Sequence, residues 1–559
     1  MANSASAASE AANESDPWTN RTFAIAIAAI MLSQALASFD TAGVATLARS
    51  IQVDLGTTLT SIQYGIAGQS LFAAAFMMLA ARLGAIAGRT RILVIGLLIR
   101  SVGMIIATIA PNALFFFFGR AVLGGIGIAF ALVNGVAILG ATFTGTRRVK
   151  AASAGAAVTA IASIGAPLIA GAFAGSIGWR WFYVVCSFGM LIALALARAT
   201  PMVAAIAKSE KLDLGGALLA VLSFGCVVFG IQQATPWGFY DVRDAPFTIL
   251  GKSPAPFIVI IGVILLLAFG WFEHVRRLAG RPVLFDVSML RNGFVRTGNL
   301  ALLGFSMILF GMTFLVPVYL QVVQGLSPFQ SSLRTVFFGF GALVLAVLLR
   351  RIAQRFSLRG IFMITMALIL LGLFALAWEI GPLPWGALPI AMFILGLALS
   401  ATKAPLNVAA QRAVPLEGHG QVSAMNEASW ALGGALGVAI IGTILLATLA
   451  GGVTHLVMED PTLSPQAKAI TQMYLDRGVP FVPETQVRTV LEREGLPPSQ
   501  IDTMARHYET SANLALLFAV GGALVIALIT FGFVRRLPKV DPLAATAEAT
   551  ASASGPLSG

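Results

Sequence analysis

Apolar runs of about 20 residues recur from one end of this chain to the other, and each is long enough to cross a bilayer as an α-helix. The chain has 559 residues, of which 58% are hydrophobic and only 11% are charged. A soluble protein of that composition would expose large apolar patches to water. The sequence therefore predicts an all-α integral membrane protein.

We predict fourteen membrane spans. They lie at about 23–47, 61–81, 92–110, 113–140, 152–175, 181–198, 214–234, 255–274, 297–320, 333–350, 360–379, 387–409, 419–450 and 511–534. The first is too long for a signal-peptide core and lacks a convincing cleavage site, so we expect it to be retained. Most of the 36 Lys and Arg residues lie in alternate loops. The positive-inside rule then places both termini in the cytoplasm.

The net charge of +12 would also suit a protein that binds nucleic acid. Because the cationic residues follow the alternation of loops, topology accounts for them, and we expect no nucleic acid partner. No complete phosphate-binding loop, metal-ligand spacing or nucleophile elbow occurs in the sequence. We therefore expect neither an enzyme nor a bound cofactor, and a proton gradient as the energy source.

Three segments differ in composition from the spans. Residues 1–21 and 536–559 are rich in small and polar residues and are predicted to be disordered cytoplasmic tails. Residues 451–510 form the one sizeable polar segment and carry signals for two or three short helices. We expect this segment on the outer face. It is either a surface excursion without chemistry or an element for gating or for docking a periplasmic adaptor protein.

Five charged side chains interrupt the predicted spans, namely Asp40, Arg100, Arg120, Lys403 and Glu427. A charge at that depth costs several kcal/mol unless it is paired or hydrated, and it commonly marks a transport pathway. We therefore expect the protein to move a polar or charged species across the bilayer.

Two of these charges, Asp40 and Arg120, are predicted to lie at the same depth, roughly 10–12 Å below the outer surface at ~1.5 Å per helical residue. An ion pair between them would offset the burial of both. Burial favours the protonated form of a carboxylate and a neighbouring guanidinium favours its ionised form, so movement of the partner would switch the protonation state. The alternatives are proton coupling and a static clamp between helices.

A second pair, Lys403 and Glu427, is predicted to lie roughly 9–12 Å from the cytosol. Asn407 shares a helix face with Lys403, and Asn426 is adjacent to Glu427. Small and polar residues on one stripe suit a cavity wall or close helix packing. This pair is either a structural salt bridge or a site for substrate or for a proton.

Arg100 has no acidic candidate partner in its half of the chain other than Asp40. It either extends toward the cytosol or contacts an anionic substrate or lipid headgroup. Asn134 lies on one stripe with Arg120 in the fourth span and is a candidate cavity residue. The five charges carry one net positive charge, which weakly favours anionic or amphipathic cargo.

Several short motifs, taken in order, resemble the fourteen-helix drug:proton antiporter branch of the major facilitator superfamily between about residues 24 and 450. The residues that carry the resemblance are Phe39-Asp40-Thr41, Arg120 with Gly124, Gly165-Ala166-Pro167 with Gly171, Trp179-Arg180-Trp181-Phe182, Arg281-Pro282-Val283-Leu284-Phe285, and Gly433-Gly434 with Gly442. Each motif is weak alone, but their order and spacing together are specific.

The sequence also departs from that family. Ala85 stands where the loop between spans two and three normally has an aspartate, although Gly88, Arg89 and Arg91 of the loop motif remain. This change affects the expected cytoplasmic gate. The glutamine usual in the fourth-span motif is Leu123 here.

The resemblance implies two six-helix bundles, residues 22–198 and 276–535, with two extra spans in the connecting segment 199–275. It further implies rocking of the halves about a central cavity, Asp40 as a protonation site tuned by Arg120, and a bent fifth span containing Gly165, Pro167 and Gly171 at the interface between the halves.

The implied function is proton-coupled export of amphipathic or lipophilic small molecules by a functional monomer, multi-pass in the bacterial inner membrane. One alternative keeps the fold and changes the cargo to lipid or an anionic metabolite such as a siderophore. A more remote alternative is a receptor or scaffold that transports nothing.

Overall fold

The computed structural model describes residues 20–142, 145–199, 213–234, 236–238, 242, 245–284, 286–378, 388–400, 402–414, 419–476 and 484–537. Within these ranges the chain is helical and has no β-strand. The predictions for the two tails and for most of the segment before the seventh span lie outside the described residues.

The helices of the first half and of the connecting segment are α1 Asn20–Asp54, α2 Leu59–Ala87, α3 Arg89–Thr108, α4 Ala113–Phe116, a π-helix Phe117–Leu123, α5 Gly124–Thr142, α6 Gly145–Gly175, α7 Arg180–Arg198, α8 Leu214–Gln233 and α9 Pro254–Leu278. After a 3₁₀ turn at Val287–Arg291 follow α10 Gly293–Val322, α11 Pro328–Arg355, α12 Leu358–Trp378, α13 Leu388–Ser400, α14 Lys403–Arg412, α15 His419–Glu459, α16 Pro465–Asp476, α17 Glu484–Arg493 and α18 Pro498–Val534.

Thirteen segments of the described chain are long and apolar enough to cross a membrane. They match thirteen of the predicted spans. The remaining prediction, 333–350, falls within α11, a continuous helix of 28 residues. The protein is therefore a multi-pass membrane protein, and the count of fourteen stays a prediction, as does the orientation of the termini.

The predicted twelfth span, 387–409, is described in two pieces. They are α13, which ends at Ser400, and α14, which begins at Lys403, and residue 401 lies outside the described residues. The hydroxyl of Thr402 donates a hydrogen bond to the carbonyl of Leu399 at 2.7 Å.

Helices α1–α7 pack mainly with one another, and α10–α18 do the same. The two halves meet along two seams, α2 with α15 and α6 with α11. In the first seam the side-chain amide of Gln63 donates to the carbonyl of Val438 at 3.0 Å. In the second, the Ser332 hydroxyl donates to the carbonyl of Pro167 at 2.6 Å. The fifth-span helix α6, which contains Pro167, thus lies at the interface between the halves.

The extra helices α8 and α9 form an antiparallel pair, of which α8 also packs on α2 and α15. The Tyr64 hydroxyl donates to the side-chain carbonyl of Gln233. The Thr443 hydroxyl donates to the backbone carbonyl of Ile231 at 3.3 Å. The end of α8 therefore contacts both halves across the α2–α15 seam.

The described part of residues 451–510, namely 451–476 and 484–510, forms a helical cap built from the ends of α15 and α18 together with α16 and α17. Leu463, Leu491 and Met504 are among its buried apolar side chains. Hydrogen bonds from Thr462, and a 2.7 Å contact with His507, lower the pKa of the Asp460 carboxyl to about 2. The predicted short helices are confirmed for the described part of this segment, whereas its predicted role stays untested.

Two glycines of the fifth-span motif offer a matched test of the α6–α11 seam. A Cβ atom on Gly171 would lie 2.8 Å from the carbonyl oxygen of Pro328 and 2.9 Å from Cα of Phe329, whereas one on Gly165 would meet no atom within 4 Å. We expect Gly171→Ala to destabilise the protein by about 1–3 kcal/mol, because the helices must separate. Thermal unfolding of the purified protein measures this change.

Gly165→Ala is the control on the same helix. It should be neutral or stabilising by up to ~1 kcal/mol, because alanine costs less backbone entropy in a helix than glycine. Equal effects of the two substitutions would show that close contact at this seam does not stabilise the folded protein.

Candidate functional site

The carboxylate of Asp40 is completely buried, at 0% exposure, in the middle of the first half. It lies between two guanidinium groups. Arg120 Nε is 3.2 Å from Asp40 Oδ1, and Arg100 Nη2 is 3.8 Å from Asp40 Oδ2. Both arginines are only 1% exposed. The predicted pairing of Asp40 with Arg120 is thus present, and Arg100 joins it.

Close helix packing brings both arginines to Asp40. A Cβ atom on Gly119 would lie 2.6 Å from the carbonyl of Gly103 on α3, and one on Gly127 would lie 2.6 Å from Cβ of Arg100. Only glycine allows the fourth-span helix to approach α3 this closely. Arg120 itself belongs to the π-helix Phe117–Leu123. Such a bulge re-aims side chains and occurs often at functional sites.

Arg100 therefore takes neither of the positions predicted for it. Besides approaching Asp40, its Nη2 donates to the backbone carbonyl of Leu36 at 3.4 Å. It does not extend to the cytosol, and its burial leaves no exposed surface for cargo. The depth estimate measured position along the membrane normal, and it gave no information on which helices are lateral neighbours.

Gln69 on α2 completes this group and was not predicted from the sequence. Its side-chain nitrogen donates to Asp40 Oδ2 at 2.6 Å, and its oxygen accepts from Arg120 Nη2 at 3.0 Å. Arg120 Nη1 also donates to the carbonyl of Gly65 at 2.9 Å. We call Asp40, Gln69, Arg100 and Arg120 the Asp40 cluster. A polar amide within an apolar run was the available signal, but only charged residues were counted.

The second predicted pair also forms. Lys403 Nζ lies 2.8 Å from Glu427 Oε2, and the Asn407 amide donates to the other carboxylate oxygen at 3.4 Å. Asn426 donates to the side-chain oxygen of Asn407 at 2.6 Å. We call Lys403, Asn407, Asn426 and Glu427 the Glu427 cluster. Its Lys403 side chain is 31% exposed and its Glu427 side chain 8%, so this cluster is open where the Asp40 cluster is sealed.

The other predicted cavity residue of the first half, Asn134, is 1% exposed. Its amide donates to the backbone carbonyls of Ala80 and Phe130 at 3.1 and 2.9 Å. The first bond ties α5 to α2, and the second lies within α5. This position favours a packing role over contact with cargo.

In the loop motif between α2 and α3, the glycine has a positive φ, which is a conformation that favours glycine. Gly88 has a φ of +98° and separates the two helices. The side chains of Arg89 and Arg91 form no ion pair with any residue in the described part of the chain. Ala85 stands where the family has an acid, so the acidic member of the loop motif is missing.

Further buried charges were overlooked in the sequence. Glu273, at the inner end of the eighth predicted span, is fully buried and accepts a hydrogen bond from the backbone nitrogen of Leu284 at 2.9 Å. Beside it, Arg276 Nε lies 3.0 Å from Oδ2 of buried Asp213. These contacts connect α8 with α9, and α9 with the segment that leads into α10.

Membrane-spanning helices in two packed halves, with ion pairs inside each half, define a membrane transporter rather than an enzyme. A sequence model of the Major Facilitator Superfamily matches residues 30–438. The chain belongs to this family.

Related proteins of known name are similar over most of their length. A multidrug resistance protein B homolog of Mycobacterium tuberculosis is 25% identical over 434 residues, covering 74% of this chain and 75% of that protein. The puromycin resistance protein pur8 of Streptomyces alboniger is 27% identical over 446 residues, covering 78% and 84%. The tetracenomycin C resistance and export protein of Streptomyces glaucescens is 24% identical over 387 residues, covering 67% and 66%.

Solved structures of transporters share the fold. A bacterial homolog of the human lysosomal transporter Spinster, in an inward-facing conformation, superposes with a TM-score of 0.60 at 14% identity, covering 93% of this chain and 98% of that one. A peptide transporter of the POT family gives a TM-score of 0.55 at 16% identity, covering 92% and 98%. At these identities the likeness concerns the fold alone.

Gln69→Leu tests the amide of the Asp40 cluster. Hydrogen bonds to charged groups each contribute about 1.5–3 kcal/mol, and this substitution removes two of them. We expect Gln69→Leu to destabilise the protein by at least ~2 kcal/mol. In the Asp40→Asn background the same substitution should have a much smaller effect, because the two residues interact directly. Thermal unfolding of the two single variants and of the double variant measures the coupling.

Gln63→Leu is the matched control on the same helix, since Gln63 bonds to backbone of the other half rather than to a charge. Its effect should add to that of Asp40→Asn. Additive effects for Gln69 as well would show that its amide does not stabilise the carboxylate.

Proposed function

We propose that this protein is a proton-coupled exporter of amphipathic or lipophilic small molecules that works by alternating access in the bacterial inner membrane. Relatives named for resistance to multiple drugs, to puromycin and to tetracenomycin C support the direction and the cargo class. The observation that carries the coupling is the Asp40 cluster, a sealed carboxylate held by two arginines inside an apolar bundle.

A carboxylate in this position exchanges its proton only when its surroundings change. Gln69, Arg100 and Arg120 each place an N–H group toward Asp40. Withdrawal of one guanidinium during rocking of the halves would remove a positive charge from beside the carboxylate and so allow it to bind a proton. The cluster therefore suits a proton carrier whose occupancy follows conformation.

Helix α2 provides a route for this coupling. Its Gln63 bonds to the backbone of α15 in the other half, and its Gln69, six residues later, bonds to Asp40 and Arg120. When α2 slides against α15, Gln69 moves with it. Motion between the halves thereby reaches the donors around Asp40 through one rigid helix.

Asp40→Asn tests the coupling. The amide keeps the size of the side chain and removes the titrating group, so proton-driven efflux should fall at least about 100-fold, as is typical when a proton-transfer group is removed. The measurement is efflux from proteoliposomes with an imposed pH gradient, against a chemically diverse panel of compounds. Normal pumping by a folded Asp40→Asn variant would exclude Asp40 as the carrier.

Glu427→Gln in the same assay separates the two clusters. If efflux needs Asp40 alone, this variant keeps its response to the pH gradient and changes only which compounds are moved. If both variants lose the response, the protein uses two carboxylates for coupling.

The alternative cargo, a lipid or an anionic metabolite, was suggested by cationic residues in the spans that were free to bind it. Arg100 is sealed beside Asp40, and Lys403 is paired with Glu427. The accessible cluster therefore carries no surplus positive charge, and the geometry favours the first proposal.

A further inference from the structure

The ammonium of Lys403 lies between a carboxylate and an aromatic face. Its Nζ is 2.8 Å from Glu427 Oε2 and 5.3 Å from the centroid of the Trp430 ring. Glu427 and Trp430 are one helical turn apart on α15 and therefore share a face. Phe310 of α10 packs edge-on against Trp430, with ring centroids 6.2 Å apart, and extends the aromatic surface.

A carboxylate beside an aromatic ring is the arrangement that recognises an organic cation, through charge and through the negative face of the ring. The site is also reachable. A Lys403 side chain that is 31% exposed at membrane depth would be very costly in contact with lipid, so the opening must be aqueous. Lys403 thus occupies a position that a cationic ligand from solution could take.

Two features allow Lys403 to leave. It is the first residue of α14, at the end of that helix rather than in its middle. Its charge sits on a flexible stem of four carbons, whereas the carboxylate and the ring belong to the long continuous helix α15. The cation is therefore the mobile member of the group, and its partners are fixed.

We propose that Glu427 and Trp430 form the binding site for the cationic group of the cargo, and that Lys403 is a tethered cation that fills the site until cargo displaces it. The cargo class is a monovalent lipophilic cation with aromatic surface. Translocation of that cargo rests on the proposed function, but binding does not.

Competition between a cargo cation and a proton for Glu427 is also what export against an inward proton gradient requires. A cargo cation and a proton both neutralise Glu427, so each excludes the other, as exchange against an inward proton gradient demands. An anionic cargo would instead draw Lys403 away and leave Glu427 to take up a proton. Anion and proton would then bind together, which would drive import.

The test measures binding to the purified, detergent-solubilised protein at pH 8. The probes are tetraphenylphosphonium and tetraphenylborate, which have nearly the same shape and opposite charge. Subtracting binding to Glu427→Gln removes partition into detergent. We expect the specific affinity for the cation to exceed that for the anion at least tenfold, and to fall as the pH is lowered because protons compete.

Lys403→Met removes the tethered competitor. It should tighten the cation about tenfold, which corresponds to ~1.4 kcal/mol. Lys403→Gln, which keeps a hydrogen-bond donor without charge, serves as a second variant if the first unfolds, and it should act in the same direction. A structural salt bridge or an anion site predicts the opposite sign, namely weaker cation binding without the lysine.

Weaker cation binding in both lysine variants, or a specific preference for tetraphenylborate in the wild-type protein, would overturn the proposal. The comparison of the two probes needs neither lysine variant, so misfolding of those variants cannot obscure it. If the cation binds as expected but no compound is exported from proteoliposomes, the proposed function fails and the site stands. If export is normal and Glu427→Gln binds the cation unchanged, only the site fails.

Discussion

The packing of the first half depends on the burial of one negative charge. Asp40 has no contact with solvent, and an unpaired carboxylate in such a place would not stay ionised. Its partners come from three other segments, Gln69 from α2, Arg100 from α3 and Arg120 from the π-helix. The charge therefore fixes the relative positions of four spans, and any motion that alters one of them changes the balance at the carboxylate.

Glycine allows both the Asp40 cluster and the α6–α11 seam to form, for the same steric reason. At Gly119 and Gly127 the absence of a side chain lets the fourth span approach α3, so that both guanidinium groups reach Asp40. At Gly171 it lets α6 approach α11 of the other half. The first contact lies within one half, beside the Asp40 cluster, whereas the second joins the two halves and would loosen in the rocking motion that we propose.

Hydropathy predicted the spans because the bilayer requires long apolar helices, and depth along each span predicted both ion pairs, because partners must lie at one level. Depth along the span did not predict the partner of Arg100, because depth does not show which helices are neighbours. The π-helix around Arg120, which packs against α2 and α3, was not predicted either. Gln69 and Glu273 were missed because neutral amides and residues at span ends were left out of the count.

The two clusters differ most in their access to water, and this difference suggests a division of labour. The Asp40 cluster has N–H groups of three residues around one carboxylate and is sealed. In the Glu427 cluster one carboxylate faces one flexible ammonium whose side chain is 31% exposed. In the function that we propose, a ligand therefore binds at the Glu427 cluster first, and the Asp40 cluster responds when the halves move. Because α2 contacts the Asp40 cluster and also packs on α15, which carries Glu427, the two events are connected through adjacent helices.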